Sequence, residues 1–281
     1  MPINETIERS NFCPRRFNLK NITPSSRGLI LADIAQRAGA KIMEIYATEF
    51  SANQKADLSP VTIADEQAET IILEELKRHW PDIPVVAEEA AAAGKIPTVA
   101  QQFFLVDPLD GTKEFVSRNG EFTVNIALIE NGLPVLGVVY APALSRMFLG
   151  EENHGAQLST LGVSDPLTSA VWQSMKTRAL PADGATVLAS RSHRDAETEE
   201  YLATLMVKKI IGAGSSLKFC TIAAGEADIY PRFGRTMEWD TAAGQAVLMA
   251  AGGKVNCATG EPLVYGKTQR GFDNPAFIAS A

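Results

Sequence analysis

Apolar positions first fall into helical register at Leu29, Ile30, Ile34, Ala38, Ile42, Ile45 and Tyr46, which predicts an amphipathic helix over about residues 27–50. The preceding residues 1–25 are polar and broken by proline, and read as an irregular arm. "SANQKADLSPVT" is a loop by composition. A second helical pattern begins at Thr62 and is ended by Pro81. Short apolar runs follow. "IPVVA" is a buried strand leading into acids and a small-residue loop, and "FFLVD" is another strand. "TVNIALIENGLPVLGVVYAP" is two strands around Glu130-Asn131-Gly132, and "RMFLGEENHGAQL" a further hairpin. The second half alternates. Strand "TVLAS" leads to a helix from about Asp195 to Val207, then strand "KKIIGAG", helix "SSLKFCTIAAG", strand "ADIYP", helix "TAAGQAVLMAAGG" and short strands ending in "AFIAS". The order is thus α+β in the first half and α/β in the second. The turn-rich residues 159–185 lie between the two, giving an arm at 1–26 and units over 27–165 and 166–281.

Composition narrows the chemistry. The 281 residues suit one large domain or two modest ones, and 46% hydrophobic content supports a sizeable core. A net charge of −7 argues against a nucleic-acid partner, which selects a basic face. It leaves room for a phosphorylated small molecule, because a bound cation inverts local charge. Cys13, Cys220 and Cys257 form neither a C-x-x-C pair nor a disulfide framework, which fits a reducing cytoplasm. The N-terminus lacks the apolar core of a signal peptide, and no apolar run approaches the ~20 residues of a membrane span. Peripheral attachment to the cytoplasmic face of a membrane stays open.

The candidate chemistry lies in acids at element ends. Asp107 and Asp110 close an apolar strand in "FFLVDPLDGTKEF". A turn accounts for Asp and Pro individually, with Asp110 as a helix N-cap. Two acids flanking a stiff Pro108-Leu109 also suit convergence on a hard cation. Gly111 permits close backbone approach and Thr112 adds a hydroxyl, while a helix starting here offers N–H groups to a phosphate. Glu88 and Glu89 follow "IPVVA", Asp240 opens a helix, and Asp65 lies in a helical first turn. Capping and helix-dipole roles explain each of the last two alone. Together these acids stand where α/β sites form. Other chemistries lack their motifs. His79, His154 and His193 have no zinc spacing, no G-x-S-x-G is present, and "GAGSSLK" lacks the Walker pattern.

"DPLDGT" with "WDTAAGQAVLMAAGG", preceded in order by "SPVTIAD" and "AEEA", resembles the paired signature of the lithium-sensitive, Mg²⁺-dependent phosphatases. That superfamily includes inositol monophosphatase, fructose-1,6-bisphosphatase and the bisphosphate nucleotidases. The resemblance runs from about Arg27 to the C-terminus. Lys113 in "DGTKEF", with "GSSLKFC", "IYPRFG" and "ASRSHRD", resembles the CysQ-type 3′(2′),5′-bisphosphate nucleotidases. Arg235 departs from the proline often found there, which bears on substrate preference, and Ala87 stands where relatives often carry Gly or Ser.

The resemblance implies a layered α-β-α-β-α sandwich, with metal bound by the first unit and substrate by the second. It implies two or three Mg²⁺ held by Glu88, Asp107, Asp110, Asp240 and the Leu109 carbonyl. Glu88 is also carried over as catalytic. Asp65 with Thr112 would orient and deprotonate the attacking water, and the Gly111 and Thr112 N–H groups would contact the scissile phosphate. Lys113 and Asp240 complete the expected substrate contacts. Ser215, Ser216 and Lys218 open a helix suited to a second phosphate, or to a plain cap with a surface lysine. Arg191, His193 and Arg232 are candidate nucleotide contacts, while Tyr230 and Phe233 read as core aromatics. The implied reaction is Mg²⁺-dependent removal of the 3′-phosphate of adenosine 3′,5′-bisphosphate to give AMP, with PAPS as a second substrate, in sulfur metabolism. The alternatives are the same chemistry on inositol phosphate or fructose 1,6-bisphosphate, and a regulatory protein that keeps the fold without catalysis.

Overall fold

The computed structural model describes residues 23–48, 60–189 and 196–281. Most of the expected N-terminal arm, with Cys13, therefore lies outside the described residues, as do residues 49–59, which include most of the expected loop, and both Arg191 and His193. Helix α1 (Ser26–Tyr46) starts where the Ser25 hydroxyl accepts the Gly28 N–H at 3.0 Å. Helix α2 (Pro60–His79) starts two residues before the expected Thr62, with proline at its first position, where a missing N–H costs nothing. Asp65 is consequently a full turn inside the helix, beyond the reach of the helix-dipole role expected for it.

Strand β1 (Val85–Ala87) runs directly into a short helix, α3 (Glu88–Ala92), where the sequence suggested a loop. Strand β2 (Gln102–Asp110) continues through Pro108 instead of stopping at Asp107. Helix α4 (Thr112–Val116) follows, then β3 (Thr123–Glu130) and β4 (Leu133–Ala141). Both turn residues of that hairpin, Asn131 and Gly132, have positive φ (52° and 80°), the pairing that matches strand twist. Strands β5 (Arg146–Glu151) and β6 (Gly155–Thr160) form the second expected hairpin. Strand β7 (Gln173–Met175), past residue 165, pairs with β6. These seven strands form one sheet in chain order, antiparallel except for β1 and β2.

The second half supplies β8 (Ala185–Ala189), α5 (Ala196–Ala203), β9 (Val207–Gly212), α6 (Leu217–Ala223), β10 (Ile229–Arg232), α7 (Glu238–Ala250), β11 (Lys254–Cys257) and β12 (Phe277–Ser280). Val207, placed in a helix by the sequence pattern, opens β9 instead. The second sheet has the order β11-β12-β10-β8-β9.

Strand alternation sorts the core into three clusters, and these define the layers. On one face of the first sheet, Phe104, Val106, Ile126 and Val138 pack with Leu31, Ile34 and Ile72 of α1 and α2. On its other face Phe103, Leu105 and Val139 meet α6 and α7 together with Leu188, Tyr230 and Phe277 of the second sheet. Beyond that sheet, Val187 and Ile229 cover α5 through Leu202. The chain is thus the expected α-β-α-β-α sandwich, and each buried Leu or Ile contributes about 1.5–3 kcal/mol.

Helix α7 lies close on the first sheet because two glycines pair beneath it. Gly137 and Gly150 are register partners on β4 and β5. A Cβ on Gly137 would come within 2.7 Å of the Ala243 carbonyl, and one on Gly150 within 2.7 Å of the Ala246 carbonyl. Gly150→Ala is expected to cost about 1–3 kcal/mol, lowering Tm by about 2–4 °C per kcal/mol. An unchanged Tm in thermal denaturation would contradict this account of the helix seat.

Candidate active site

In a regular strand, residues three apart face opposite sides of the sheet. Asp107 and Asp110 do not, because β2 carries a bulge between them. Asp107 pairs with Asn125 and Asp110 with Thr123, so three steps on β2 match two on β3. Both acids therefore share the face that meets α6 and α7. Pro108, which has no N–H to donate, sits in the bulge, where a ladder bond is already missing. The Leu109 N–H donates to Asp107 Oδ1 at 3.0 Å, fixing that carboxylate. Asp110 is not an N-cap: Gly111, at φ 100°, holds the cap position of α4.

The other acids are brought in by separate elements. Glu88 is the first residue of α3 and lies within hydrogen-bond reach of Asp107. Asp240, three residues past the Met237 cap of α7, accepts the Met237 N–H at 2.8 Å. Asp65 reaches the group from α2, and its Oδ1 is buried without a hydrogen-bond partner.

A polar network ties these elements together. Asp110 Oδ2 accepts the Ser216 N–H at 2.7 Å and Asn125 Nδ2 at 3.3 Å. The Ser216 hydroxyl donates to the Asp240 carbonyl at 2.7 Å and accepts Asn125 Nδ2 at 3.1 Å. Thr123 donates to Asn125 Oδ1 and is bonded to the Ser215 hydroxyl. Ser216 thus has its N–H and hydroxyl engaged by the acids themselves. Asn125, Thr123 and Ser216 join Asp110 on the first sheet to Asp240 on α7.

Lys218 is buried, unlike the surface lysine of the plain-cap reading, and its Nζ donates to the Ser215 carbonyl at 2.8 Å. Burial pulls it down to about 8, against the attraction of Asp110. Arg232 is close enough to Asp240 to lower its pKa. Its Nε is buried without a hydrogen-bond partner, and its Nη2 donates to the Arg235 carbonyl at 3.2 Å. Arg235 pairs with Asp273 at 2.7 Å. Thr112 and Lys113 are exposed at the start of α4. Tyr230 is buried as core, its ring beneath Lys218, and Phe233 packs on Tyr201.

Sequence reasoning missed Asn125, Thr123, Glu69 and Glu121. Asn125 and Thr123 occupy alternate, inward positions of an otherwise apolar strand, a signal that was there to read. Glu69 accepts the Glu89 and Ala90 N–H groups, and Glu121 accepts the Gly214 N–H at 2.7 Å, steadying the loop before Ser215.

The five carboxyls are all raised above their ordinary values. Burial, then Glu88, Glu89, Glu69 and Glu66, push Asp65 up to about 9. Burial and Asp110 push Glu88 and Asp240 up to about 7, each against a hydrogen bond that favours the charged form. Asp107 is raised by burial and by Glu88, Asp110, Asp240 and Asp65. Asp110 is raised by burial, moderated by Lys218 and its hydrogen bonds. Among the described residues, no three His, Cys, Asp or Glu stand close enough to hold an ion as placed. The donors nevertheless fit one. They are all oxygens, as a hard cation such as Mg²⁺ requires, they repel one another without it, and Asp65 Oδ1 lacks any partner.

Residues 28–277 match the inositol monophosphatase family. The chain belongs to that family. It is 46% identical over 252 residues to the 3′(2′),5′-bisphosphate nucleotidase CysQ of Escherichia coli, covering 89% of this chain and 98% of that one. The Salmonella typhimurium protein of the same name is 47% identical over 249 residues, covering 88% and 96%. The crystal structure of CysQ from Bacteroides thetaiotaomicron superposes with a TM-score of 0.80 at 40% identity, covering 91% and 97%. The inositol monophosphatase of Anabaena is more distant, at 25% identity and a TM-score of 0.70.

Raised carboxyls make a pH prediction. In metal-free protein they retain protons that the unfolded chain has lost, so their stability contribution is complete below about pH 4. It is lost as pH rises through about 7 for Glu88 and Asp240 and about 9 for Asp65. A divalent cation binds the charged forms. Added Mg²⁺ should therefore raise Tm more at about pH 8 than at about pH 5; an equal or smaller rise at the higher pH would contradict the reading.

Proposed function

We propose that this protein is a Mg²⁺-dependent 3′(2′),5′-bisphosphate nucleotidase that converts adenosine 3′,5′-bisphosphate to AMP and phosphate. The observation that carries the reading is the near-full-length similarity to enzymes of that name. The buried acids support it. PAPS is a second substrate in this reading, giving adenosine 5′-phosphosulfate, which puts the enzyme in sulfur metabolism in the cytoplasm. Among the described residues no helix is long and apolar enough to cross a membrane.

Glu88, Asp107, Asp110, Asp240 and the Leu109 carbonyl would hold two or three Mg²⁺. When bound, the cations neutralise the phosphoryl charge and stabilise the attacking and leaving oxygens of an in-line displacement. With bound cations holding its carboxyl in the ionised form, Asp65 would accept a proton from the attacking water through Oδ1, which has no hydrogen-bond partner. In our reading Thr112 helps to orient that water, and the Gly111 and Thr112 N–H groups meet the scissile phosphate. Water attacks phosphorus, the bond to the 3′-oxygen breaks, and the ribose hydroxyl takes up a proton. Lys218 and Arg232 are assigned to the second phosphate, with Ser215 and Lys113 as further polar contacts. Ser216 keeps the supporting role set by its hydrogen bonds to Asp110 and Asp240.

The test is Mg²⁺-dependent phosphate release from adenosine 3′,5′-bisphosphate beside inositol 1-phosphate and fructose 1,6-bisphosphate. A marked preference for the nucleotide is expected; a preference for inositol 1-phosphate would overturn the specificity. Asp110→Asn, which removes a ligand charge at unchanged size, is expected to cost about 100-fold or more in kcat. Full activity in that variant would contradict its role.

Lys218→Gln separates the two phosphate contacts. The ratio of kcat/KM for the bisphosphate to that for adenosine 3′-monophosphate is expected to fall about tenfold, the worth of one charged hydrogen bond. An unchanged ratio would remove Lys218 from the second-phosphate site.

A further inference from the structure

Glu69 follows Asp65 by one helical turn on α2, so the two side chains share a face. It is 6% exposed, and carboxylates are rarely buried without a task. Its two oxygens accept two consecutive backbone N–H groups, Glu89 N at 2.8 Å and Ala90 N at 2.9 Å. Those groups are the unsatisfied donors at the start of α3. The residue at the cap position, Ala87, has no side chain able to satisfy them. The helix that begins with Glu88 is therefore capped from another element, twenty residues upstream. Glu88 in turn lies against Asp107.

The geometry points to Glu69 as a positioning residue: by capping α3 from α2, it fixes the placement of Glu88 relative to Asp65. Both of its oxygens are taken up by the α3 N–H groups. It sets the span between the element that carries the proton acceptor and the one that carries a cation ligand. The inference rests on the metal-dependent reading given above.

Two variants and two readouts test it. Glu69→Gln puts an NH₂ group against a backbone N–H and so destroys the two-point cap at nearly constant size. Glu69→Asp keeps the charge but is one methylene too short to reach both donors. Both are expected to raise the Mg²⁺ activation constant about 10–100-fold, the usual cost of losing a group that orients a ligand. KM for the nucleotide should stay the same, and the Mg²⁺-induced rise in Tm should shrink. A merely structural cap would lower the metal-free Tm and leave the activation constant alone, which would overturn the proposal. If Glu69→Gln fails to fold, Glu69→Asp decides, and because it retains the charge it separates lost geometry from lost field. Wild-type protein whose Tm ignores Mg²⁺ would sink the metal-dependent reading and this inference with it. A wild type that responds, beside variants that respond equally, would overturn the role of Glu69 alone.

Discussion

Five carboxyl groups held together away from water repel one another, and among the described residues no equal positive charge faces them. Lys218 neutralises part of the field at Asp110 and Arg232 part of it at Asp240. The remainder shows as carboxyls displaced upward, Asp65 as far as about 9. Such a cluster persists only if the surrounding framework holds it, with its charge relieved by retained protons or, in the proposed function, by a bound cation. The folding energy of two sheets and seven described helices is, in part, spent on keeping these groups in place.

The framework does this by joining elements that are remote in sequence. The bulge in β2 turns Asp110 to the same face as Asp107. The Gly137–Gly150 pair lets α7 settle on the sheet and present Asp240. Asn125 and Ser216 then bond the strand end to the helix start. On the far side Glu69 clamps α3 to α2. Glu238, next to Trp239 and Asp240 in the same helix, plays no part in the cluster. It accepts the Gly266 and Lys267 N–H groups and pairs with Lys267, anchoring the C-terminal loop. Neighbouring acids on one helix thus serve different ends, according to which side of the helix they occupy.

The periodic parts of the fold were legible in the sequence. Helices α1 and α2, both hairpins and the alternation of the second half follow from apolar spacing, and the Asn131-Gly132 turn from its residue types. The acids were legible as a set because their motifs occur in family order. What periodicity concealed was irregularity. "FFLVDP" reads as a strand that stops, since proline and two acids look like a turn, whereas the chain stays extended and bulges. Pro60 was hidden in a loop-like stretch, so the start of α2 was set late. Glu69 looked like any acid on an amphipathic helix, because its partners are backbone groups that no sequence pattern marks. Lys218 sits in a helix of seven residues whose whole length is buried, which a short apolar run cannot announce.

The central claim is that these acids form a cation site assembled where β2 meets α3 and α7. Its most direct test is a crystal structure of the protein grown with Mn²⁺ in place of Mg²⁺, read by anomalous scattering. The account predicts a peak among Glu88, Asp107, Asp110 and Asp240. Well-ordered side chains there with no peak, or a peak only elsewhere on the molecule, would contradict it.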